Sequence, residues 1–169
     1  MNTIKAYKII SFILAPFACF WGMAALISLF MSLMNIAFFF QALLAACITA
    51  YIILSFIFLI RGISQNKNCN PSLKKWIRRT GTISFIFTCL SLFQSLFLLT
   101  KPMTLSSIID QMQNLQKDMP QVDSHLIIST LRTLLYILIF FAVTLIVHYI
   151  ETVKFLKIYS SVFNKNAEQ

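Results

Sequence analysis

Between Lys8 and Arg61 the chain runs for 52 positions, Ile9 to Ile60, without one charged residue. A hydrocarbon core about 30 Å thick takes about 20 residues of helix. The run is too long for one crossing and fits two joined by a tight turn. That turn is expected around Ser32, Asn35 and Ala37, because Asn competes for backbone hydrogen bonds and favours turns. A first span over about 9–30 and a second over about 38–60 follow. The next uncharged run, Thr80 to Thr100, has 21 positions and lies between Arg79 and Lys101. The last, Thr133 to Ile150, has 18 and is extended by the apolar stretch Leu126–Leu131 ahead of Arg132. These predict spans over about 80–100 and 126–150. The expected fold class is an all-α integral membrane protein, a four-transmembrane-helix bundle forming one domain over residues 1–169. The first span exceeds the roughly 7–15-residue core of a signal peptide, so it is expected to remain as an anchor.

The connections carry their own patterns. In the loop 61–79, Asn70 can cap a helix that has Pro71 at its first position. Leu73, Trp76, Ile77 and Thr80 then share one face and Lys74, Lys75, Arg78 and Arg79 another, which reads as a short interfacial helix running into the third span. After Pro102, Leu105, Ile108, Ile109, Met112, Leu115 and Met119 recur at helical spacing among polar residues. This predicts a short amphipathic outer helix over about 103–119, between spans 3 and 4, too polar to cross and suited to lie on the leaflet.

Composition agrees with this class: 59% of the residues are hydrophobic, 17 are Phe and only 11% are charged. A soluble domain carries about 25% charged residues, and a disordered chain needs low hydrophobicity with high charge. Both classes are excluded. The cations divide unequally. Lys5 and Lys8, the six in the loop 61–79, and Lys154, Lys157 and Lys165 fall on one side of a four-span chain. Lys101, Lys117 and Arg132 fall on the other, balanced by Asp110, Asp118 and Asp123. The positive-inside rule puts both termini and the loop in the cytoplasm, and a bacterial inner membrane is the expected location. No nucleic-acid module accompanies the net charge of +9, so anionic lipid headgroups at Lys74, Lys75, Arg78 and Arg79 are the expected partner.

The spans hold little chemistry. The architecture resembles that of quinone-linked thiol oxidoreductases, but Cys19, Cys47, Cys69 and Cys89 form no Cys-x-x-Cys pair. No Asp or Glu lies within a span, as small multidrug transporters require. His148 and Glu151 stand three apart near the inner end of the fourth span, too few for a metal site, and Glu151 is expected to pair with Arg61, Arg78 or Arg79. No cofactor, metal or catalytic residue is expected, and the chain reads as a non-enzyme.

Helix packing is better specified. Ala42, Ala46 and Ala50 stand four apart on the second span, a groove of small residues that admits a close helix. Ser84, Thr88, Ser91 and Ser95 form a hydroxyl stripe on the third, expected to face protein and to meet that groove. The functional expectation is a small polytopic protein acting through helix and lipid contacts, as an accessory or assembly subunit or an immunity-type membrane protein, with a membrane-protein partner or as a homo-oligomer. The alternative is the protomer of an oligomeric small transporter or channel, for which the stripe, Gln94 and His148 supply the polar material.

Overall fold

The computed structural model describes residues 2–101 and 124–163, and their regular structure is entirely helical. Helix α1 spans Asn2–Met31, α2 Ala37–Ile57, α3 Pro71–Thr100 and α4 Ser124–Ile158. A π-helical stretch, Phe58–Ser64, prolongs α2, and a short 3-10 turn, Ser160–Phe163, follows α4. Among the described residues four helices are long and apolar enough to cross a membrane. They also exceed the uncharged runs. Lys5 and Lys8 are already helical in α1, the basic residues from Lys74 to Arg79 in α3, and Lys154 and Lys157 in α4. A helix of 30 residues is about 45 Å long, so its charged ends extend beyond an apolar core of about 30 Å.

The α1–α2 turn is held locally. Ser32 Oγ donates to the Leu29 carbonyl at 2.6 Å, and Asn35 Oδ1 accepts the Ala37 N–H at 3.0 Å. Between α2 and α3 the chain closes through Asn66, at a left-handed φ of 50° that Asn tolerates better than most residues. Asn70 Oδ1 then accepts the Ser72 N–H at 2.9 Å, capping α3 in front of its first residue, Pro71. The 3-10 turn packs on this connection. Cys69 N–H donates to the Val162 carbonyl at 3.1 Å, Phe163 stacks on Phe58 with centroids 5.5 Å apart, and Lys74 Nζ lies 5.7 Å above the Phe163 ring. Gly62 leaves the space that the Phe58 ring occupies, since a Cβ there would lie 2.8 Å from Phe58 Cδ2.

The chain divides into two compact units, one of residues up to Phe87 with those from Thr144 onward, the other between Thr88 and Val143. In the first, α1 runs along α2, with Phe12 edge-on to Phe56 at 5.4 Å. In the second, buried Leu135 of α4 packs against Leu98, Leu99, Ile127, Ile128 and Leu131. Arg132 is exposed. The expected outer helix over 103–119 lies outside the described residues, as do Asp118 and Asp123.

Many large apolar side chains are exposed, and several polar ones share the interior with the apolar core. Phe20, Met23, Phe30, Phe40, Leu90 and Phe93 are exposed, while Ser11, Ser55, Thr80, Ser84, His148 and Thr152 are buried. Polar side chains in a bilayer turn to protein, and apolar ones can face lipid.

Candidate functional site

The buried polar groups of the first unit converge on His148. Within α1, Tyr7 and Ser11 are four apart, one helical turn on the same face. The same spacing aligns His148 and Thr152 on α4, and α2 contributes Tyr51. All five are at most 2% exposed. Ser11 Oγ lies 2.8 Å from the Tyr7 carbonyl and 3.0 Å from His148 Nε2. Tyr51 Oη lies 2.9 Å from His148 Nδ1 and 3.1 Å from Thr152 Oγ1. Tyr7 Oη reaches Thr152 Oγ1 at 3.1 Å, and Thr152 Oγ1 reaches the His148 carbonyl at 2.7 Å.

Counting protons assigns the directions. The Ser11 hydroxyl has one proton and gives it to the Tyr7 carbonyl, so its oxygen accepts from His148 Nε2–H. In a neutral imidazole Nδ1 is then the acceptor, and the Tyr51 hydroxyl donates to it. Thr152 accepts from Tyr7 and donates to the His148 carbonyl, sharing that proton with the Tyr51 oxygen. The histidine of α4 is thus fixed in one tautomer by side chains from α1 and α2. Rings complete the enclosure: Tyr7 stacks on the imidazole with centroids 4.9 Å apart and 11° between planes, and Phe155 lies 4.9 Å from Tyr7.

Tyr149 forms the next layer. Its ring approaches Tyr51 at 6.0 Å and Phe85 at 5.0 Å, and its hydroxyl meets Thr82 Oγ1 at 3.0 Å. Gly81 makes room for this, because a Cβ there would stand 2.8 Å from Tyr149 Cε2 and 2.9 Å from Tyr51 Cδ2.

The expected partners of Glu151 are corrected. It binds Lys154 on its own helix at 2.8 Å, a local i,i+3 pairing that asks nothing of the tertiary fold. Glu151 is therefore no acid–base partner of His148, whose ring nitrogens both face α1 and α2. Among the described residues no three His, Cys, Asp or Glu are grouped as a metal site.

The other expected residues separate. On α3, Ser84, Thr88 and Ser95 are buried and Ser91 half-buried. Thr88 Oγ1 is buried with no hydrogen-bond partner among the described residues. Ala42 is buried, Ala50 half-buried and Ala46 exposed, so the three do not act as one covered face. They border a groove of about 450 Å³ whose other wall is Gly22, Ala25 and Leu26 of α1. Of the four loop cations, Lys74 is half-buried over Phe163, while Lys75, Arg78 and Arg79 are exposed. Trp76 is exposed as well, leaving Ile77 and Thr80 as the buried side of this segment. Cys69 is buried, and burial pushes its thiol above its ordinary pKa, with Arg61 opposing the shift.

Sequence reasoning reached His148 but not its partners. The signal was available in the two i,i+4 polar pairs, Tyr7–Ser11 and His148–Thr152, at corresponding ends of the first and last spans. No family model, curated protein or solved structure matches the chain.

Proposed function

We propose that this is a multi-pass membrane protein of non-enzymatic type, with both termini and the basic loop 61–79 in the cytoplasm. It acts through helix and lipid contacts, as an accessory or assembly subunit or an immunity-type protein. One observation carries this reading: the polar groups around His148 are spent on one another. Ser11, Tyr51, Tyr7 and Thr152 saturate the imidazole and each other, which suits a clamp on three helices better than a site that must bind and release a ligand. The groove between α1 and α2 offers partners an apolar surface of small and aliphatic side chains with Phe39. Interhelical hydrogen bonds in membranes average about 0.6 kcal/mol each, so such a clamp specifies register more than it adds stability.

The transporter or channel alternative draws on Thr88, whose buried hydroxyl lacks a partner among the described residues. Such a group in a span is open to a water or a polar solute. Two measurements separate the readings. Light scattering after mild solubilisation is expected to give a hetero-complex or a monomer, and proteoliposomes of the purified chain are expected to be no leakier to ions than empty vesicles. A homo-oligomer that carries ion flux would replace the accessory reading with the transporter one.

A further inference from the structure

The basic end of α3 forms a shallow concavity of about 520 Å³ lined by Lys75, Arg78, Arg79, Thr82 and Ile83. Spacings of three and four residues bring these side chains onto one side of the helix. The three cations have no carboxylate partner among the described residues. Glu151, the acid expected to serve them, is held by Lys154. Lys74 does not join the set, because its ammonium lies over Phe163. Thr82 is wall rather than donor: its proton goes to the Arg78 carbonyl at 2.8 Å, and its oxygen receives Tyr149 Oη at 3.0 Å.

Three cations within two helical turns, unpaired among the described residues, repel one another and call for an anion. One negative charge among them leaves a net charge of about +2 and a doubly charged headgroup about +1, so the doubly charged one is held more strongly. Below the cations the same helix turns apolar. Ile83 and Ile86 are exposed, four and seven residues beyond Arg79, within about 10 Å along the axis. A ligand filling both regions has an anionic head and an apolar tail. We propose that Lys75, Arg78 and Arg79 form a discrete site for a phospholipid headgroup bearing two negative charges, with an acyl chain along Ile83 and Ile86.

This rests on the reading of a lipid-contacting membrane protein and replaces a diffuse basic face with three named cations. The test is native mass spectrometry of the full chain in detergent, titrated with tetraoleoyl cardiolipin, dioleoyl phosphatidylglycerol or inorganic pyrophosphate. Cardiolipin is expected to bind about fivefold or more tighter than phosphatidylglycerol. Arg78→Gln with Arg79→Gln should weaken cardiolipin by about 25-fold, at about fivefold per cation near a charged lipid. Lys74→Gln and Lys67→Gln should leave it within about twofold, since neither side chain lines the concavity. Arg78, Arg79 and Lys67 are exposed, so their changes disturb no buried contact; Lys74→Gln gives up the contact over Phe163, and unchanged helicity verifies its fold. Equal affinity for the two lipids, or a loss from Lys74→Gln matching that from Arg79→Gln, would overturn the site in favour of diffuse attraction. Competition by pyrophosphate as effective as by cardiolipin would overturn the lipid as occupant. Binding in detergent does not depend on which leaflet the loop faces, so a failure here is distinct from a failure of the proposed orientation.

Discussion

Replacing His148 by Phe isolates the hydrogen bonds from the packing of the clamp. The imidazole makes two side-chain hydrogen bonds, to Ser11 at 3.0 Å and to Tyr51 at 2.9 Å. Both partners keep a second contact, Ser11 with the Tyr7 carbonyl and Tyr51 with Thr152. Neither is stranded, so the full cost of an unsatisfied buried group is not incurred. Two bonds at about 0.6 kcal/mol each give a loss of about 1.2 kcal/mol for His148→Phe. The new ring retains the stacking on Tyr7. His148→Ala also removes the ring, at a site only 1% exposed, and the cavity should add about 2–4 kcal/mol. Reversible unfolding in mixed micelles, followed by circular dichroism, reads both. A cycle with Tyr51→Phe should show a coupling of about 0.6 kcal/mol. His148→Phe as stable as the parent, with no coupling to Tyr51→Phe, would refute the clamp. Equal losses for Phe and Ala would refute the stacked ring as a packing element.

Gly81→Ala should destabilise by about 1–3 kcal/mol in the same assay, because the new Cβ meets two tyrosine rings whose hydroxyls are tethered to His148, Thr152 and Thr82; a neutral result would mean those rings move freely. Thr88→Val should be neutral or stabilising by up to about 1 kcal/mol, since it removes a buried hydroxyl with nothing to lose, and a marked loss of stability would reveal a partner for it. Asn70→Ala should cost about 1 kcal/mol as the α3 cap is removed, whereas Asn70→Ser should restore most of it. Cys69 should react with maleimide much more slowly than a cysteine placed at exposed Ser72, and faster as pH rises, because burial raises its thiol pKa and the thiolate is the reactive form; equal rates would mean the Val162–Cys69 contact opens readily. With an impermeant reagent, Ser72→Cys is the better orientation reporter, expected to stay unlabelled on intact cells and to react after permeabilisation; ready labelling from outside would reverse the topology.

Gaps between charges were enough to locate four helices, because a bilayer-length apolar segment leaves few alternatives to helix. Turn and cap preferences of Asn located the turn near Asn35 and the cap at Asn70, where a side-chain oxygen acts on backbone two residues away. The gaps could not set the helix ends. Lys5, Lys74 and Lys157 are helical although charged, since Lys is a good helix former and a charge bounds an apolar run without ending the helix. The hydroxyls of α3 could be grouped by their spacing, but which of them is paired, and which wall faces Ala42, depends on neighbours that spacing does not contain.

The spacing of Tyr7–Ser11 and His148–Thr152 is legible along the chain, but which residues meet His148 from other helices is decided by the tertiary structure. Tyr7 and Ser11 lie over 130 positions away in the chain and Tyr51 nearly 100, and only the packing of α1, α2 and α4 brings them within 3 Å or so of one another. Tertiary packing also drew Lys74, expected at lipid headgroups, to Phe163, and buried Cys69, whose N–H donates to the Val162 carbonyl. Local pairing held Glu151, which the sequence assigned to a distant arginine. Hydrophobic length is a property of each segment alone and so is legible in order along the chain. Pairing of polar groups is a property of which helix faces meet, and that is decided only when the helices pack.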